Sequence, residues 1–568
     1  MTHTQIETNQ INIHPIVKEL LLKRGYTEDQ FNEFFSWNLR DLPDLTQMHD
    51  LEKAANRIIE AMDNNEKIGI YGDYDVDGTT SCALFYQFFK LNGIEVELFQ
   101  PSRFVEGYGI HPSSIENAIE KGVKLLITVD CGISNCETAE YALDRNIDLI
   151  ITDHHKDTRD EMPRALAVVN PNRRDEKDSE LKALAGVGVA FAVCLKIKNI
   201  LDARGDKTPS IYPLLQYVAI GTICDLAYLN PTNLKLTRHG LKQIVDTDYK
   251  GIEAFFNDED RAADFIPSEK ISFYVGPLIN SKGRLDHPEK ALNLLIAKEH
   301  KEAFENYSHL EISNRERKLI QNEVYNEAKK MVVKEIDRDD HLITVVYAPH
   351  WHEGVIGIVA SKLVETFNVP ALVFSDSEEK GIIKASARSA GDLDLYALLK
   401  SCDDLFIKFG GHKAACGLSM PKENLYKLKD RLKAALKDVP EIIRTNQDYF
   451  DAEISFQDIS PSLVREFDKM EPFGMGNERP LLRMRDAKID SFTLLKDIHV
   501  KWFFNSPKTK NKIQGISFFY IGKWNTPSPE ELFQYQKDGE LMIYFRLGIN
   551  RFRGNETIQL MVEKITKI

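Results

Sequence analysis

Several common sequence features are missing from this chain of 568 residues. Its seven cysteines include no Cys-x-x-Cys pair, so neither a disulfide framework nor a structural zinc site is indicated. The longest uncharged apolar run, residues 183–195, falls short of the ~20 residues that cross a bilayer. The N-terminus also lacks the basic and apolar stretches of a signal peptide. We therefore expect a soluble, cytoplasmic protein that does not associate with membranes.

Other absences exclude whole classes of function. No Gly-x-x-x-x-Gly-Lys-Ser/Thr motif occurs, which argues against a helicase or kinase of the P-loop class. Positive charge is scarce, with 73 Lys and Arg against 87 Asp and Glu, but the deficit is uneven. Residues 481–568 carry fifteen basic and nine acidic residues. A basic C-terminal region behind an acidic body can bind nucleic acid locally, and part of the acidity can serve as metal ligands.

The length indicates several domains, because a single core rarely exceeds ~250–300 residues. Short apolar runs alternate with helical patterns in the first part of the chain, which predicts an α/β domain with a parallel sheet. A helical connector, a second α/β domain and a small β-barrel are predicted after it. The predicted divisions are an N-terminal helical extension of unknown role (1–45), the first α/β domain (46–240), a helical region with an interdomain helix (241–335), the second α/β domain (336–445) and the barrel (446–568).

Carboxylates are concentrated where the first strand of the predicted parallel sheet ends. Its strands are predicted at residues 67–71, 95–99, 125–129, 149–152 and 165–169. Asp73, Asp75 and Asp77 follow the first strand, and carboxylates are too costly to bury together without a cation. An exposed acidic turn and a calcium-binding loop are the alternatives. The calcium loop is disfavoured, because Leu84 stands where its bidentate Glu belongs.

Further acidic groups and two imidazoles follow other apolar runs. Asp130 comes directly after the third predicted strand, Asp153, His154 and His155 follow the fourth, and Asp225 follows a later apolar run. One such Asp is commonly a helix cap, but three strands that deliver Asp and His to one sheet edge predict a metal site. Oxygen ligands with one or two His suit Mn²⁺ or Mg²⁺, and six such groups indicate two ions. Two adjacent ions are suited to the displacement of a phosphoryl oxygen.

These motifs together resemble the DHH phosphoesterase superfamily. The matching segments are DYDVDG at 73–78, VDCG at 129–132, the DHH tripeptide at 153–155, and Asp225. GGHKAACG at 410–417 resembles the glycine-rich signature of the DHH-associated domain. With the barrel behind it, the resemblance extends from about residue 45 to the C-terminus and is closest to the RecJ family of single-strand-specific 5′→3′ DNA exonucleases. It implies a DHH domain, a DHH-associated domain and an oligonucleotide-binding barrel.

The resemblance also implies roles for the acidic residues. Asp130 would bridge the two ions, and His155 would face the scissile phosphate and protonate the leaving oxygen or stabilise the charge of the transition state. Asp73 would either bind metal or orient His154, and Asp153 would cap or orient. The implied metal ligands are Asp75, Asp77, Asp130, His154 and Asp225.

Substrate contacts are implied elsewhere in the chain. Arg103 lies in a PxRFxEGYG segment and would clamp a phosphate, the alternative being a residue that only solvates the surface. Ser386 and Arg388 match the SxRS element of the family and would grip a 5′-phosphate. Gly410 and Gly411 would permit close approach of the backbone to a nucleotide, and His412, which follows them, would contact the substrate. Three more residues are implied to contact the strand, with a solvated helix face as the alternative for the last two: Arg284, Asn314 and Arg317.

Aromatic and basic residues are interleaved in the C-terminal segment. Barrels that hold single strands use such residues to stack on bases and to contact phosphates. Most of these aromatic residues alternate with polar ones and are expected in the core, which leaves one or two to stack. The aromatic residues concerned are Trp502, Phe503, Phe519, Trp524, Tyr544, Phe545 and Phe552.

The resulting prediction is a Mn²⁺- or Mg²⁺-dependent exonuclease that releases 5′-mononucleotides from single-stranded DNA in repair and recombination. A catalytically silent scaffold of the same fold is disfavoured, because no metal carboxylate is missing. A phosphodiesterase for short oligonucleotides or cyclic dinucleotides is disfavoured, because such chains lack the barrel. We expect a monomer whose partner is single-stranded DNA, supplied by a helicase and a single-strand-binding protein.

Overall fold

Two compact units make up the structure, a computed structural model that describes residues 13–102, 107–157, 161–283, 289–336, 341–506, 511–552 and 555–568. The first unit contains the chain up to Asn314 together with Glu466–Arg479. The second contains Arg315–Arg465 and Pro480–Ile568. Within the described residues, every helix is too short or too polar to span a bilayer.

A parallel sheet lies at the centre of the first unit. Its strands are β1 (Ile68–Gly72), β2 (Val96–Phe99), β3 (Leu125–Val129), β4 (Asp148–Thr152) and β5 (Ala167–Val169). They are arranged in the order β2-β1-β3-β4-β5. All five predicted strands are confirmed to within two residues. Both β1 and β3 are buried along their whole length, because helices pack on each face of the sheet.

Helices supply the rest of the first unit. Helices α3, α4 and α7 pack on one face of the sheet, and α5 and α6 pack on the other. Helix α4 begins at Val76, directly after Asp75, whose side chain caps it. The bounds are α1 (Pro15–Lys23), α2 (Phe31–Phe35), α3 (Leu51–Asp63), α4 (Val76–Leu91), α5 (Pro112–Glu120), α6 (Cys136–Asp144), α7 (Gly186–Arg204), α8 (Leu215–Cys224), α9 (Pro231–Ile244), α10 (Lys250–Glu253), α11 (Asp258–Arg261), α12 (Ser268–Lys270), α13 (Gly276–Lys282) and α14 (Glu289–Leu295).

A mixed sheet begins the second unit. Its strands are β6 (Thr344–Tyr347), β7 (Ala371–Asp376), β8 (Ile382–Arg388), β9 (Lys408–His412) and β10 (Ala415–Pro421), in the order β6-β7-β8-β10-β9. Only β6 and β7 pair in parallel within it. Helix α15 (His300–Glu335), the helix predicted to end the 241–335 region, belongs to the first unit up to Asn314 and to the second from Arg315. The other helices of this region are α16 (Glu353–Phe367), α17 (Leu395–Lys400), α18 (Leu425–Lys437) and α19 (Glu441–Arg444).

A seven-stranded sheet forms the C-terminal part of the second unit. Strand β14 alternates buried and half-buried residues, and the fully buried Trp502 donates its indole N–H to Ser517 Oγ at 2.9 Å. This pattern accords with the alternating apolar residues of the sequence. The elements are α20 (Pro461–Asp468), α21 (Pro529–Tyr535), and, in sheet order, β11 (Ala452–Glu453), β12 (Leu482–Met484), β16 (Leu541–Phe552), β17 (Asn555–Lys567), β15 (Lys512–Ser517), β14 (His499–Asn505) and β13 (Lys488–Leu495).

Helices α8 and α9 approach each other closely at Gly240. A methyl group on Gly240 would lie 2.1 Å from the carbonyl oxygen of Leu215 and 2.5 Å from the Ala219 methyl group. We therefore expect Gly240→Ala to lower the midpoint of thermal unfolding, although Ala is the better helix former by ~1 kcal/mol. In the control Gly188→Ala on α7, the new methyl group meets only the movable Leu184 side chain. Equal midpoints for the two variants would contradict this packing.

Candidate metal centre

Strand register brings acidic residues to one level at the carboxyl edge of the first sheet. Gly72 pairs with Val129, Val129 with Thr152, and Thr152 with Val169. Gly72, Val129 and Thr152 are each followed by an aspartate, and Val169 is followed by Asn170. The three aspartates, Asp73, Asp130 and Asp153, are almost completely buried. The sequence therefore delivers its acids to the edge at which parallel sheets bind ligands.

Two further carboxylates come from the loop and first turn of α4. Asp75 caps this helix, and its Oδ1 accepts a hydrogen bond from the Gly78 N–H at 3.0 Å. Asp77 accepts hydrogen bonds from the N–H groups of Gly186 at 2.6 Å and Val187 at 3.0 Å. These N–H groups begin α7, where the helix dipole favours a negative charge. Asp77 is thus held by α7 although it belongs to α4.

Potential ligand atoms converge in three overlapping groups, within each of which they lie no more than 4.8 Å apart. Asp130 and His154 each belong to two of these groups, which joins all three into one cluster. Asp225 enters from the end of α8, the helix that the apolar run before it forms. The groups are Asp77, His154 and Asp225; Asp73, Asp75 and Asp130; and Asp130, His154 and His155.

Two buried atoms of this cluster indicate that it is built for a cation. Asp130 Oδ1 and His154 Nε2 lie 3.1 Å apart, yet neither has a hydrogen-bond partner. His154 Nε2 also lies 3.7 Å from carboxylate oxygens of Asp77 and Asp225. Buried polar atoms left without a hydrogen bond are costly, and a shared metal ion would satisfy them. Carboxylates with imidazole are the donors that Mn²⁺ and Mg²⁺ accept, so the residues fit such an ion.

Crowding shifts the protonation of the carboxylates. Burial, with the charges of Asp225 and Asp75, raises the pKa of Asp77 well above its usual range. Burial and the carboxylates of Asp77 and Asp75 do the same to the pKa of Asp130. Burial and the Asp75 carboxylate raise the pKa of Asp225 to about 7. A divalent cation would reverse these shifts, because an opposite charge favours the ionised carboxylate.

The two imidazoles of the DHH tripeptide differ in protonation. Burial and the neighbouring His155 lower the pKa of His154 to about 4, so this ring is neutral and suited to ligation. Burial opposes protonation of His155 as well, but the hydrogen bond and charge of Asp153 raise its pKa to about 9. His155 therefore carries two N–H donors at neutral pH, one of which lies 2.8 Å from Asp153 Oδ1.

Asp153 acts as the anchor of the tripeptide. Its Oδ1 accepts hydrogen bonds from the backbone N–H groups of His154 and His155, and its Oδ2 accepts one from the Ile133 N–H. Although burial opposes it, the hydrogen bond from His155 keeps the pKa of Asp153 below its usual value. Asn170, at the end of β5, donates to the carbonyl oxygen of His155. The sequence prediction that Asp153 caps or orients agrees with these contacts.

Tyr108 is a residue of the centre that the sequence did not single out. Its hydroxyl oxygen lies 3.0 Å from His155 Nδ1 and 3.4 Å from His155 Nε2, and it also contacts the carbonyl oxygen of Asp130 at 3.5 Å. Gly107 and Gly109 on either side have φ of 84° and 89°, a conformation that favours glycine. The Gly-Tyr-Gly pattern was the available signal, but it does not say where the ring points.

The candidate 5′-phosphate residues occupy neighbouring strands of the second unit. Arg388 pairs with Ala415, which pairs with His412, and Ser386 lies two residues before Arg388 on the same face. Helix α16 approaches this face at Gly357, where a methyl group would lie 3.2 Å from both Ser386 Oγ and Arg388 Nη2. Gly411 lies in the adjacent row and has a φ of 144°. The small residue Ala415 on β10 therefore lies between Arg388 on β8 and His412 on β9.

The remaining candidates have mixed outcomes. Arg103 and Arg284 lie outside the described residues. Asn314 and Arg317 are both buried, so neither lies on the solvated helix face that was the alternative. Among the C-terminal aromatic residues, Trp502 and Phe545 are core, whereas Phe519 is 69% exposed.

Three family models match successive parts of the chain. The DHH family, N-terminal domain, matches residues 67–222, the DHHA1 domain matches 339–438, and the RecJ OB domain matches 450–564. These matches confirm the predicted fold class and the order of its domains. They also identify the C-terminal sheet as an oligonucleotide-binding domain of the RecJ type.

Known proteins resemble the chain over most of its length. The single-stranded-DNA-specific exonuclease RecJ of Bacillus subtilis (strain 168) is 31% identical over 98% of this chain and 68% of that protein. The crystal structure of Thermus thermophilus RecJ in complex with Mn²⁺ has a TM-score of 0.79 at 24% identity, and covers 98% of this chain and 77% of that chain. A crystal structure of exonuclease RecJ bound to manganese has a TM-score of 0.59 at 29% identity, and the match covers 70% of this chain and 97% of that chain.

The predicted family resemblance is thus confirmed by sequence and by fold. The edge of the parallel sheet carries the DHH tripeptide and the acids that the resemblance requires, and the domain models follow one another in the expected order. With a relative 31% identical matched over 98% of this chain, the protein belongs to the RecJ family of single-stranded-DNA-specific exonucleases.

Proposed function

We propose that this protein is a single-stranded-DNA-specific 5′→3′ exonuclease that hydrolyses phosphodiester bonds to 5′-mononucleotides in DNA repair and recombination. The observation that carries the proposal is the cluster of five carboxylates and two imidazoles, buried or half-buried, at the edge of the first sheet. The relative 31% identical is a single-stranded-DNA-specific exonuclease, which supports the same substrate class.

The proposed metal ligands are the five residues that the sequence indicated: Asp75, Asp77, Asp130, His154 and Asp225. Asp130 is proposed to bridge two ions, because it belongs to two of the ligand groups and, unlike the His154 imidazole, its carboxylate has two oxygen atoms that can each bind an ion. Asp73 lies with Asp75 and Asp130 in one group, which favours ligation over a purely orienting role. The manganese in a relative 29% identical supports Mn²⁺, with Mg²⁺ as the alternative. When bound, such ions supply an activated water and neutralise charge on the phosphate.

His155 is proposed to face the scissile phosphate. Its raised pKa keeps it protonated at neutral pH, so it can donate a proton to the leaving oxygen or a hydrogen bond to the phosphate. Asp153 Oδ1 lies 2.8 Å from His155 Nδ1, and the Tyr108 hydroxyl lies 3.0 Å from the same nitrogen and 3.4 Å from Nε2. Together these two contacts fix the ring orientation, which a proton donor needs in order to act.

Substrate polarity is proposed to arise from the second unit. Arg388 and Ser386 would bind the terminal 5′-phosphate, with Gly411 and His412 beside them. Arg103, Arg284, Asn314 and Arg317 are proposed to contact the strand. Phe519, which is exposed, is proposed to stack on a base.

The proposal also covers the partners, oligomeric state, location and domain bounds of the protein. A helicase and a single-strand-binding protein would supply the strand, and the enzyme would act as a monomer in the cytoplasm. Its domains would be an N-terminal extension (1–45), a DHH domain (46–240), a helical region (241–335), a DHH-associated domain (336–445) and an oligonucleotide-binding barrel (446–568).

The direct test compares single strands labelled at the 5′ end with strands labelled at the 3′ end. We expect Mn²⁺-dependent release of labelled mononucleotide from the 5′ end first, and loss of activity on chelation. Equal attack from both ends, or activity that survives chelation, would contradict the proposal.

Asp130→Asn tests the metal cluster in the same assay. Asp130 has a φ of 58°, a conformation that Asn tolerates, so the backbone should be preserved. We expect cleavage and Mn²⁺ binding to be lost while binding of single-stranded DNA persists. The control Asp144→Asn changes an exposed carboxylate of α6 and should leave all three unchanged. Turnover by Asp130→Asn would show that the bridging assignment is wrong.

Tyr108→Phe tests how His155 is held. The variant keeps the ring but loses the hydroxyl that contacts His155, so we expect kcat to fall about tenfold, a fraction of the ~10²–10⁴ that a positioned acid supplies. The Mn²⁺ concentration that gives half-maximal activity should not change. Tyr212→Phe is a matched control, because the Tyr212 hydroxyl contacts His239 Nδ1 at 2.7 Å outside the cluster. Equal kcat for the two variants would exclude a role for the Tyr108 hydroxyl.

Arg388→Ala tests recognition of the 5′ end. Loss of charged hydrogen bonds worth ~1.5–3 kcal/mol should raise KM for a 5′-phosphorylated strand roughly tenfold to a hundredfold. A strand with a 5′-hydroxyl should be affected much less. Arg431→Ala removes an arginine of α18 that pairs with Asp404 and should leave both values unchanged. An equal effect on both strands would argue against a 5′-phosphate site at Arg388.

A further inference from the structure

A short segment near the C-terminus returns to the first unit. Residues Glu466–Arg479 belong to that unit, whereas the chain on both sides of them belongs to the second. Nothing in the proposed chemistry uses these residues. Their contacts nevertheless lead to the loop that carries Asp225.

Buried polar contacts fix this segment in place. The Glu471 carboxylate accepts hydrogen bonds from Ser268 Oγ at 2.7 Å and from the guanidinium of Arg479 at 3.0 Å. The Glu471 carbonyl oxygen accepts one from the guanidinium of Arg238, which is itself buried. Residues on α9, on α12 and in the segment itself therefore hold its first half.

The second half of the segment forms a tight turn at residues 474–477, here called the Gly474 turn. The backbones of Gly474 and Asn477 hydrogen-bond to each other in both directions. The fully buried Asn477 side chain donates to the carbonyl oxygens of Met470 and Pro472, and its Oδ1 accepts from Arg24 at 2.5 Å. Gly476 has a φ of 81°. The turn is thus held by hydrogen bonds within its own segment and by Arg24.

The Gly474 turn packs on residues 225–229, here called the Asp225 loop. The Leu229 N–H donates to the Met475 carbonyl oxygen at 2.8 Å. A methyl group on Gly476 would lie 2.3–2.7 Å from three carbon atoms of the Tyr228 ring, and one on Gly474 would lie 2.9 Å from Leu229 Cδ1. The turn therefore packs closely on the loop, most tightly where Gly476 meets the Tyr228 ring.

Two features of the Asp225 loop indicate that its conformation depends on such contacts. Asp225 terminates α8, where the helix dipole disfavours a carboxylate, so its own helix does not stabilise the charge of this ligand. Leu226 follows it with a φ of 58° and a side chain that is 63% exposed. A strained, exposed residue next to a candidate ligand is held by its surroundings and not by its own preference.

We infer that the Gly474 turn is a positioning element for Asp225, which holds the loop so that this carboxylate meets Asp77 and His154. The inference rests on the proposed metal centre. It assigns a role in metal affinity to residues remote in sequence from every candidate ligand. Outer contacts of this kind change metal affinity when they are removed, although they touch no ion.

Gly476→Ala is the test, with Mn²⁺ alone as the probe and isothermal titration calorimetry of the full chain as the readout. We expect Mn²⁺ affinity to fall between about tenfold and a hundredfold. Gly205→Ala is the matched control, because Gly205 also has a positive φ, of 90°, lies in the same unit, and has no atom within 4 Å of an added methyl group. The Mn²⁺ affinity of Gly205→Ala should equal that of the wild type. Gly205→Ala and Gly476→Ala should both unfold at similarly lowered temperatures.

A second variant separates positioning from general damage. Tyr228→Ala keeps the hydrogen bond between Leu229 and Met475 and should weaken Mn²⁺ binding only slightly. Combined with Gly476→Ala it makes room for the methyl group, so affinity should return to that of Tyr228→Ala alone. Wild-type affinity in Gly476→Ala, an equal loss in Gly205→Ala, or no recovery in the double variant would overturn the inference alone. Failure of the wild type to bind Mn²⁺ would overturn the proposed function as well.

Discussion

Repulsion between buried carboxylates is the constraint on which the first unit depends. Two unit charges 4 Å apart repel by about 4 kcal/mol at an effective dielectric constant of 20, and the ligand atoms of this cluster lie within 4.8 Å of one another in each group. No ordinary core would retain such a grouping. The surrounding structure offsets part of the repulsion with directed N–H groups, as α7 does for Asp77. A bound cation would offset the remainder.

Glycine makes the close approach of these elements possible. A methyl group on Gly186 would lie 2.8 Å from Asp130 Cβ, and one on Gly221 would lie 2.8 Å from Asp77 Oδ1. Helices α7 and α8 can therefore lie directly against the acids that α4 and β3 supply. Side chains at these positions would force the helices outward, and the N–H groups of α7 would no longer reach Asp77. The small residues are as necessary to the cluster as its ligands.

Much of this arrangement could be predicted from sequence, for a simple reason. Apolar runs followed by Asp73, Asp130 and Asp153 identify strands that end in acids. The parallel register of these strands then places the acids at one edge of the sheet. Contacts between distant segments could not be predicted in this way, since they depend on tertiary packing. The approach of Tyr108 to His155, and the support of Asp77 by α7, have no local pattern. Asp225 could be named as a candidate from the apolar run before it, but the sequence does not show that this run, α8, ends beside Asp77 and His154.

The interleaving of the two units has a consequence for how the protein is made. Synthesis proceeds from the N-terminus, so every candidate ligand leaves the ribosome well before Glu466–Arg479 does. The whole of Arg315–Arg465 must be translated before the first unit receives its last piece. A nascent or truncated chain that stops short of residue 466 would carry all the acids and both imidazoles, yet leave the loop after α8 uncovered. Completion of the metal centre is thereby tied to near-completion of the polypeptide.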